Sequence, residues 1–241
     1  MNTGQEVSYK GMILAAGLGT RLRPVTCSIP KALVKVDGLT LLEVAIRHLA
    51  DHGVKKIIIN VHHYAGQIID YLDQNKNFGL NITISHESEQ LLDTGGGLKK
   101  ASAFFQGDGS FFVRNVDIIS DLDLTSMMEN HLKSKSLVTI AVRRRATSRY
   151  FLFDQDQRLC GWKNLKTGEK VLSYKPLTDP EMLAFSGIQI LNPEIFPLIT
   201  EEGKFSLTSL YIRLAKDHLI KGFIDNGNVW RDAGKHPIPS T

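Results

Sequence analysis

The string Leu14-Ala15-Ala16-Gly17-Leu18-Gly19-Thr20-Arg21-Leu22-Arg23-Pro24 directly follows an apolar run, and its residue types suit a phosphate. Glycines let backbone N–H groups approach an anion with no Cβ in the way. Thr20 adds a hydroxyl donor, and Arg21 offers a planar fork for phosphate oxygens. Lys31, after Pro30, returns a second cation toward the same place. Two commoner phosphate motifs are excluded. No Gly-Lys-Ser/Thr follows at Walker A spacing, and Gly17-x-Gly19 lacks the third glycine of the dinucleotide fingerprint. On residue types alone, the string also reads as a tight strand-to-loop turn with two surface arginines.

Other reactive residue types have ordinary local readings. Asp117 and Asp232, taken alone, are turn or cap residues. Asp121 and Asp123 are expected to cap a helix near Leu124, where negative charge suits the N-terminus. His62 and His63 are adjacent rather than one helical turn apart, so they make a poor metal pair and belong to a surface loop. Arg143-Arg144-Arg145 reads as a solvated basic strand edge, and Met127-Met128 as helix packing. Cys27 and Cys160 lie far apart with no CxxC spacing, so neither a disulfide framework nor a zinc site is suggested, and two reduced thiols are expected.

Residues so far apart must be gathered by a scaffold. Met12 to Ala16, Lys55 to Val61, Asn81 to Ser85, Phe111 to Val113, Leu137 to Val142 and Phe185 to Leu191 read as strands. Helices are expected over Thr40 to Ala50, Ala65 to Leu72, Gly97 to Phe105, Leu124 to Leu132 and Leu207 to Ala215. The first has Leu42, Ala45, Ile46 and Leu49 on one face, Thr40 and Glu43 at capping-box spacing, and Gly53 as a stop. Alternating strands and helices imply βαβ units, hence an α/β fold with a mostly parallel sheet covered on both faces. Tyr150 to Val171 has the texture of a small β-rich insertion. A flexible segment over residues 1–10 and a single domain over 11–241 are the simplest organisation.

The chain has 241 residues, 42% hydrophobic and 22% charged, which suits a folded globular core rather than disorder. A net charge of +4 fits a site that handles phosphates but is too small to imply a nucleic-acid partner. Met1 to Lys10 is polar, unlike a secretory signal, and no apolar run reaches transmembrane length. The cytoplasm and no membrane partner are therefore expected.

The whole string from Leu14 to Pro24, with Pro30-Lys31 after it, resembles the N-terminal signature of the sugar-1-phosphate nucleotidyltransferases. Four more segments match in order. Asp93-Thr94-Gly95-Gly96-Gly97 is similar to the family's second glycine-rich loop, and Phe112-Val113-Arg114-Asn115-Val116-Asp117 to the strand ending in its metal-binding aspartate. Ala184-Phe185-Ser186-Gly187-Ile188 is similar to its sugar-side segment, and Trp230-Arg231-Asp232-Ala233-Gly234 to the segment with its second metal-binding aspartate. Two departures stand out. Val116 replaces the common glycine of Asn-Gly-Asp, and Lys235-His236-Pro237 leads to an early end where the family often continues into a helix. The resemblance implies a Rossmann-like mixed sheet with the active site at the strand C-termini. It implies an NTP and a sugar 1-phosphate as partners, Mg²⁺ as cofactor, and a monomer or homodimer.

The same resemblance assigns roles. Arg21, Lys31 and Asp117 are the expected catalytic residues, and Asp117 and Asp232 the expected metal ligands. Backbone groups at Ala15, Ala16, Gly17, Gly19, Thr20, Gly95 and Gly96, together with the Glu87 side chain, are expected to hold the nucleotide. Asn164, Ser186 and Gly187 are expected on the sugar, with Lys163 near its phosphate. A carboxylate at position 87 can accept from uracil or guanine N–H groups but not at cytosine N3, which favours UTP or GTP. Leu92 to Gly97 resembles N-acetylmuramate-1-phosphate uridylyltransferases. Mannose- or heptose-1-phosphate guanylyltransferases are the alternative, and a non-catalytic nucleotide-sugar-binding subunit is the alternative of another class.

Overall fold

The computed structural model describes residues 8–107 and 109–234. Residues 1–7 of the expected flexible segment and the stretch after Gly234 lie outside the described residues. Tyr9 and Lys10, expected to be flexible, instead open the first strand.

In chain order, β1 (Tyr9–Leu14) leads through three short 3-10 turns and the small pair β2 (Lys35–Val36) and β3 (Leu39–Thr40) into α1 (Leu41–Ala50). Then come β4 (Val54–Val61), α2 (Ala65–Gln74), β5 (Asn81–His86), α3 (Asp93–Lys100), β6 (Phe111–Asn115), β7 (Ile118–Ser120), α4 (Leu124–Ser134) and β8 (Val138–Arg143). The β-rich stretch is β9 (Arg149–Phe153), β10 (Leu159–Asn164) and β11 (Lys170–Leu172). The chain continues through β12 (Glu181–Leu191), α5 (Leu207–Leu214), β13 (Ile220–Ile224) and β14 (Trp230–Asp232).

Ten strands form one mixed sheet, in the order β11-β10-β9-β12-β6-β1-β4-β5, with β8 joined to β12 and β13. β1 runs parallel to β4 and β6, whereas β12 is antiparallel to β6, β8 and β9. Apolar residues of α1, α2 and α4 pack on one face, and those of α3 and α5 on the other. The result is the expected Rossmann-like α/β fold. Because β1 has β4 on one side and β6 on the other, the chain reverses direction across the sheet there. Such a switch point opens a crevice at the strand C-termini.

Local chemistry explains most boundaries. The Thr40 hydroxyl accepts from Glu43 N at 3.1 Å and caps α1. The capping box stays half-made, because the Glu43 carboxylate turns to Arg47 and the Tyr71 hydroxyl instead. Gly53, at φ 81°, lets the chain leave the helix. Asp123 caps α4 through Thr125 N and Ser126 N. Asp121, expected to share that task, instead accepts from Asn228 N and Val229 N and ties the β7 region to the chain before β14.

α3 begins at Asp93, four residues before the expected start, so Gly95, Gly96 and Gly97 lie inside a helix rather than in a loop. Glycine disfavours helix, and tertiary contact overrides that preference. A Cβ on Gly95 would lie 2.4 Å from the Phe205 ring, and one on Gly96 would lie 2.3 Å from Gly203 O. The helix lies flush on residues 203–205 only because these side chains are missing. A second irregularity is a bulge in β12 between Phe185 and Gln189. Gly187 sits there at φ 85°, and a Cβ on it would lie 2.4 Å from Ile118 Cγ1.

His131 on α4 is 1% exposed, and its ring nitrogens meet Thr139 Oγ1 and Ser110 Oγ. Burial pushes its pKa down from 6.5 to about 4, and burial also pushes His48 down to about 3. The unfolded chain therefore takes up these protons first as pH falls. The stability is whole above pH 6.5 and declines below it, by roughly 1.4 kcal/mol per pH unit for each histidine. Urea melts should show the midpoint dropping from pH 7 to pH 4.5, with a shallower drop in His131→Gln. The same slope in both proteins would refute the assignment.

Candidate active site

The expected phosphate loop leaves the end of β1 and has a defined anchor. Ala15 N donates to Asn60 Oδ1 at 2.8 Å, and Asn60 Nδ2 donates to Glu87 Oε1 at 2.7 Å. Glu87 Oε2 accepts from Leu92 N at 2.8 Å. This buried polar chain fastens the loop to the approach of α3. Beyond it, the N–H groups of Ala16 to Gly19 find no acceptor among the described residues. Gly19 adopts φ 63°, and its carbonyl accepts from Leu22 N and the Thr26 hydroxyl. The loop is thus curled and held from behind, with free donors in front, as an anion-binding concavity requires.

Arg21 is exposed and lines the same cleft, together with Gly17, Lys31 and Asp117. Gly19 and Thr20 line its continuation toward Gly234. Lys31 bonds to Asp117 Oδ2. β14 pairs with β7 so that Asp232 faces Ile118, and Ala233 N donates to Asp117 O at 3.0 Å. Two aspartates 115 positions apart in sequence (232 against 117) thereby meet at one point. A Cβ on Gly234 would lie 2.7 Å from Lys31 Nζ, 2.8 Å from Asp117 Oδ2 and 3.1 Å from Asp232 Oδ1. Val116, where the family resembled has glycine, is not among the residues with positive φ. It is buried in the core, and its N–H donates to Leu14 O.

Several expected contacts are placed differently. Glu87 is 1% exposed with both oxygens used internally, so it does not face a base. Gly95 and Gly96 are buried, and both N–H groups go to Phe205 O. Asn164 uses its Oδ1 on Lys166 N in the β10–β11 turn. Ser186 is buried and presents its carbonyl to Trp230 Nε1. None of these five, nor Gly187, lines the cleft.

A larger cavity of about 940 Å³ adjoins the phosphate side, sharing Leu14, Asp93, Thr94 and Asn115 with it. Its walls are the β9–β11 stretch, including Trp162, part of β12 and the length of α5.

Other charged groups beside the site gain their roles only in the fold. Arg143 pairs with buried Asp225, and Arg144 with Glu181. Arg145 stacks 4.0 Å over the Trp230 ring and donates to Phe185 O. Burial lowers the Arg145 pKa while nearby Asp232 holds it up. Arg143 and Arg145 are thus tied down, while Arg144 stays exposed as the solvated edge expected. Asn60, Arg114 and Gln189 had a readable signal, since each is polar within an otherwise apolar strand.

Among the described residues, no group of three or more His, Cys, Asp or Glu side chains forms a metal cage. Two carboxylates beside a phosphate cradle are nonetheless a sufficient protein share for Mg²⁺, which keeps phosphate and water oxygens in its shell. No described helix is long and apolar enough to cross a membrane.

The nucleotidyl transferase family model matches residues 10–237. The chain is 33% identical over 231 residues to the N-acetylmuramate alpha-1-phosphate uridylyltransferase of Caulobacter vibrioides, covering 92% of this chain and 90% of that protein. It is 34% identical over 229 residues to mannose-1-phosphate guanyltransferase 2 of Candida glabrata, covering 94% of this chain but 61% of that longer protein. The solved structure of HddC from Yersinia pseudotuberculosis complexed with GMP-PN aligns with a TM-score of 0.73 at 25% identity, over 94% of both chains. With this match across nearly its whole length, the chain belongs to the nucleotidyl transferase family, the sugar-1-phosphate nucleotidyltransferases.

Proposed function

We propose that the protein transfers UMP from UTP to N-acetylmuramate 1-phosphate, giving the UDP-sugar and pyrophosphate. The observation that carries this reading is the reciprocal coverage of the uridylyltransferase relative, 92% and 90%, against 61% of the guanyltransferase. Glu87 does not bear on the choice of base, because its carboxylate is consumed by Asn60 and Leu92. Guanylyl transfer is the second reading, favoured by the HddC complex.

In this reaction an oxygen of the sugar phosphate attacks the α-phosphorus. The bond from that phosphorus to the β-bridging oxygen breaks, and pyrophosphate leaves with the electron pair. The nucleophile is already anionic, so the site needs no general base. Its task is to bring anions together and hold the leaving charge. The free N–H groups of Ala16 to Gly19 and the Arg21 guanidinium bind and orient the triphosphate. Lys31, aimed across the cleft by its pair with Asp117, holds the α-phosphate. Asp117 and Asp232 would hold Mg²⁺, which supplies charge neutralisation on phosphate oxygens. Asn115, at the junction of the two cavities, and Trp162, on the wall of the larger one, frame the sugar.

A matrix of NTPs against sugar 1-phosphates, read by pyrophosphate release, tests the reading. UTP with N-acetylmuramate 1-phosphate should give the highest kcat/KM, and a strong preference for GTP would replace it with the guanylyl reading. Asp117→Asn should nearly abolish turnover while leaving the circular dichroism spectrum intact, since shape is kept and charge removed. Wild-type rates at low Mg²⁺ would remove Asp117 from the metal site. Arg21→Ala should lower kcat on the order of 10²–10³-fold with little change in KM for UTP, as expected of a preorganised donor to developing charge. Arg21→Lys should recover only part of this. Unchanged kcat with a raised KM would make Arg21 a ground-state anchor instead.

A further inference from the structure

Gln189 is a polar residue where the fold calls for an apolar one. It lies on β12 opposite Val113 of β6 and Ile140 of β8, both core residues of the same sheet face. Its neighbours Ile188, Ile190 and Leu191 are fully buried hydrophobics. Gln189 is itself only 2% exposed, yet its carboxamide has no hydrogen-bond partner among the described residues. It lines the larger cavity. The Tyr211 hydroxyl, on α5 at the same cavity, is likewise buried and unpartnered.

Buried polar groups are nearly always satisfied, and leaving one bare costs more than replacing it with an apolar group of the same shape. A leucine or methionine at 189 would suit the surrounding core, whereas the unpartnered carboxamide reaches the cavity and can take a partner from it. A carboxamide offers two donors and an acceptor with two lone pairs. A hydroxyl can answer one side of it at a time. A secondary amide answers both, its N–H to the glutamine oxygen and its C=O to the glutamine NH₂. The apolar surfaces of Phe151, Phe185 and Ile212 line the same cavity and suit the alkyl part of an acyl group.

We infer that Gln189 reads an acylamino substituent on the acceptor sugar, so that the protein selects 2-acylamino sugar 1-phosphates over their hydroxyl counterparts. This rests on the sugar-1-phosphate reading above and adds the residue and the chemical group that set acceptor choice.

The test uses a matched pair, N-acetylglucosamine 1-phosphate and glucose 1-phosphate, with two readouts. One is kcat/KM from pyrophosphate release with UTP. The other is binding followed by tryptophan fluorescence, since Trp162 lines the cavity. The wild type should favour the acetamido sugar by about 10- to 100-fold in both, the range expected when one buried polar group loses its partner. In Gln189→Met, of similar length, the ratio should collapse toward one. Equal treatment of the two sugars by the wild type would overturn the inference and leave nucleotidyl transfer standing. A preference that survives in Gln189→Met would overturn the role of Gln189. If no sugar 1-phosphate gives pyrophosphate, the transfer reading fails, and the fluorescence ratio still decides whether an acylamino group is read.

Discussion

A positive charge buried inside the sheet supports the acidic corner of the cleft. Arg114 sits on β6, fully buried. Its guanidinium reaches Ile118 O, across the turn that carries Asp117, and His48 Nδ1 on α1 at 2.6 Å. His48 Nε2 in turn lies 2.9 Å from Leu122 O. The histidine must be neutral to accept at Nδ1, and its strongly lowered pKa keeps it so. Burial pulls Arg114 down to about 10, and the charge of Asp117 holds it up. A buried guanidinium is costly unless it is hydrogen-bonded, and here the turn after Asp117 supplies one acceptor, Ile118 O, and His48 Nδ1 a second.

From that turn the rest of the cleft is assembled by pairing. β7 follows directly and recruits β14, which brings Asp232. Asp117 takes Lys31, whose stem lies against Gly19 of the glycine-rich loop. The near end is fixed by Ala15, Asn60, Glu87 and Leu92 in series. The loop front is left with N–H groups that have no internal use. Two ends held from behind and a free front make a preorganised site, whose donors need not reorganise when charge arrives.

Much of this was legible in the sequence because it is local. Strand and helix periodicity, the Thr40 cap and the glycine-rich turn act within a few residues of each other, so their signals survive in one dimension. What was misplaced depends on partners distant in the chain. The helix at Gly95 and Gly96 is explained only by Phe205 and Gly203. Glu87 reads as a base contact until Asn60 and Leu92 are seen to take both oxygens. Arg145 reads as a solvated edge until Trp230 comes to lie beneath it. Arg114 and Gln189 were visible as polar interruptions of apolar strands, but only the fold shows that one is satisfied within the protein and the other is not.

The flush seat of α3 on residues 203–205 divides the cleft into a fixed side and an adjustable side. Thr94 Oγ1 accepts from Leu207 N, Gly95 N and Gly96 N share Phe205 O, and Lys99 reaches Glu201 and Glu202. The N-terminal ends of α3 and α5 are thereby welded into one piece. There is no room to insert a methyl group between them, so this wall cannot be reshaped residue by residue. The opposite wall is the short edge strand β11, whose three residues are all exposed. The cavity is therefore easiest to change along β11, whose exposed side chains carry no core, while the α3–α5 wall tolerates no added bulk at Gly95 or Gly96.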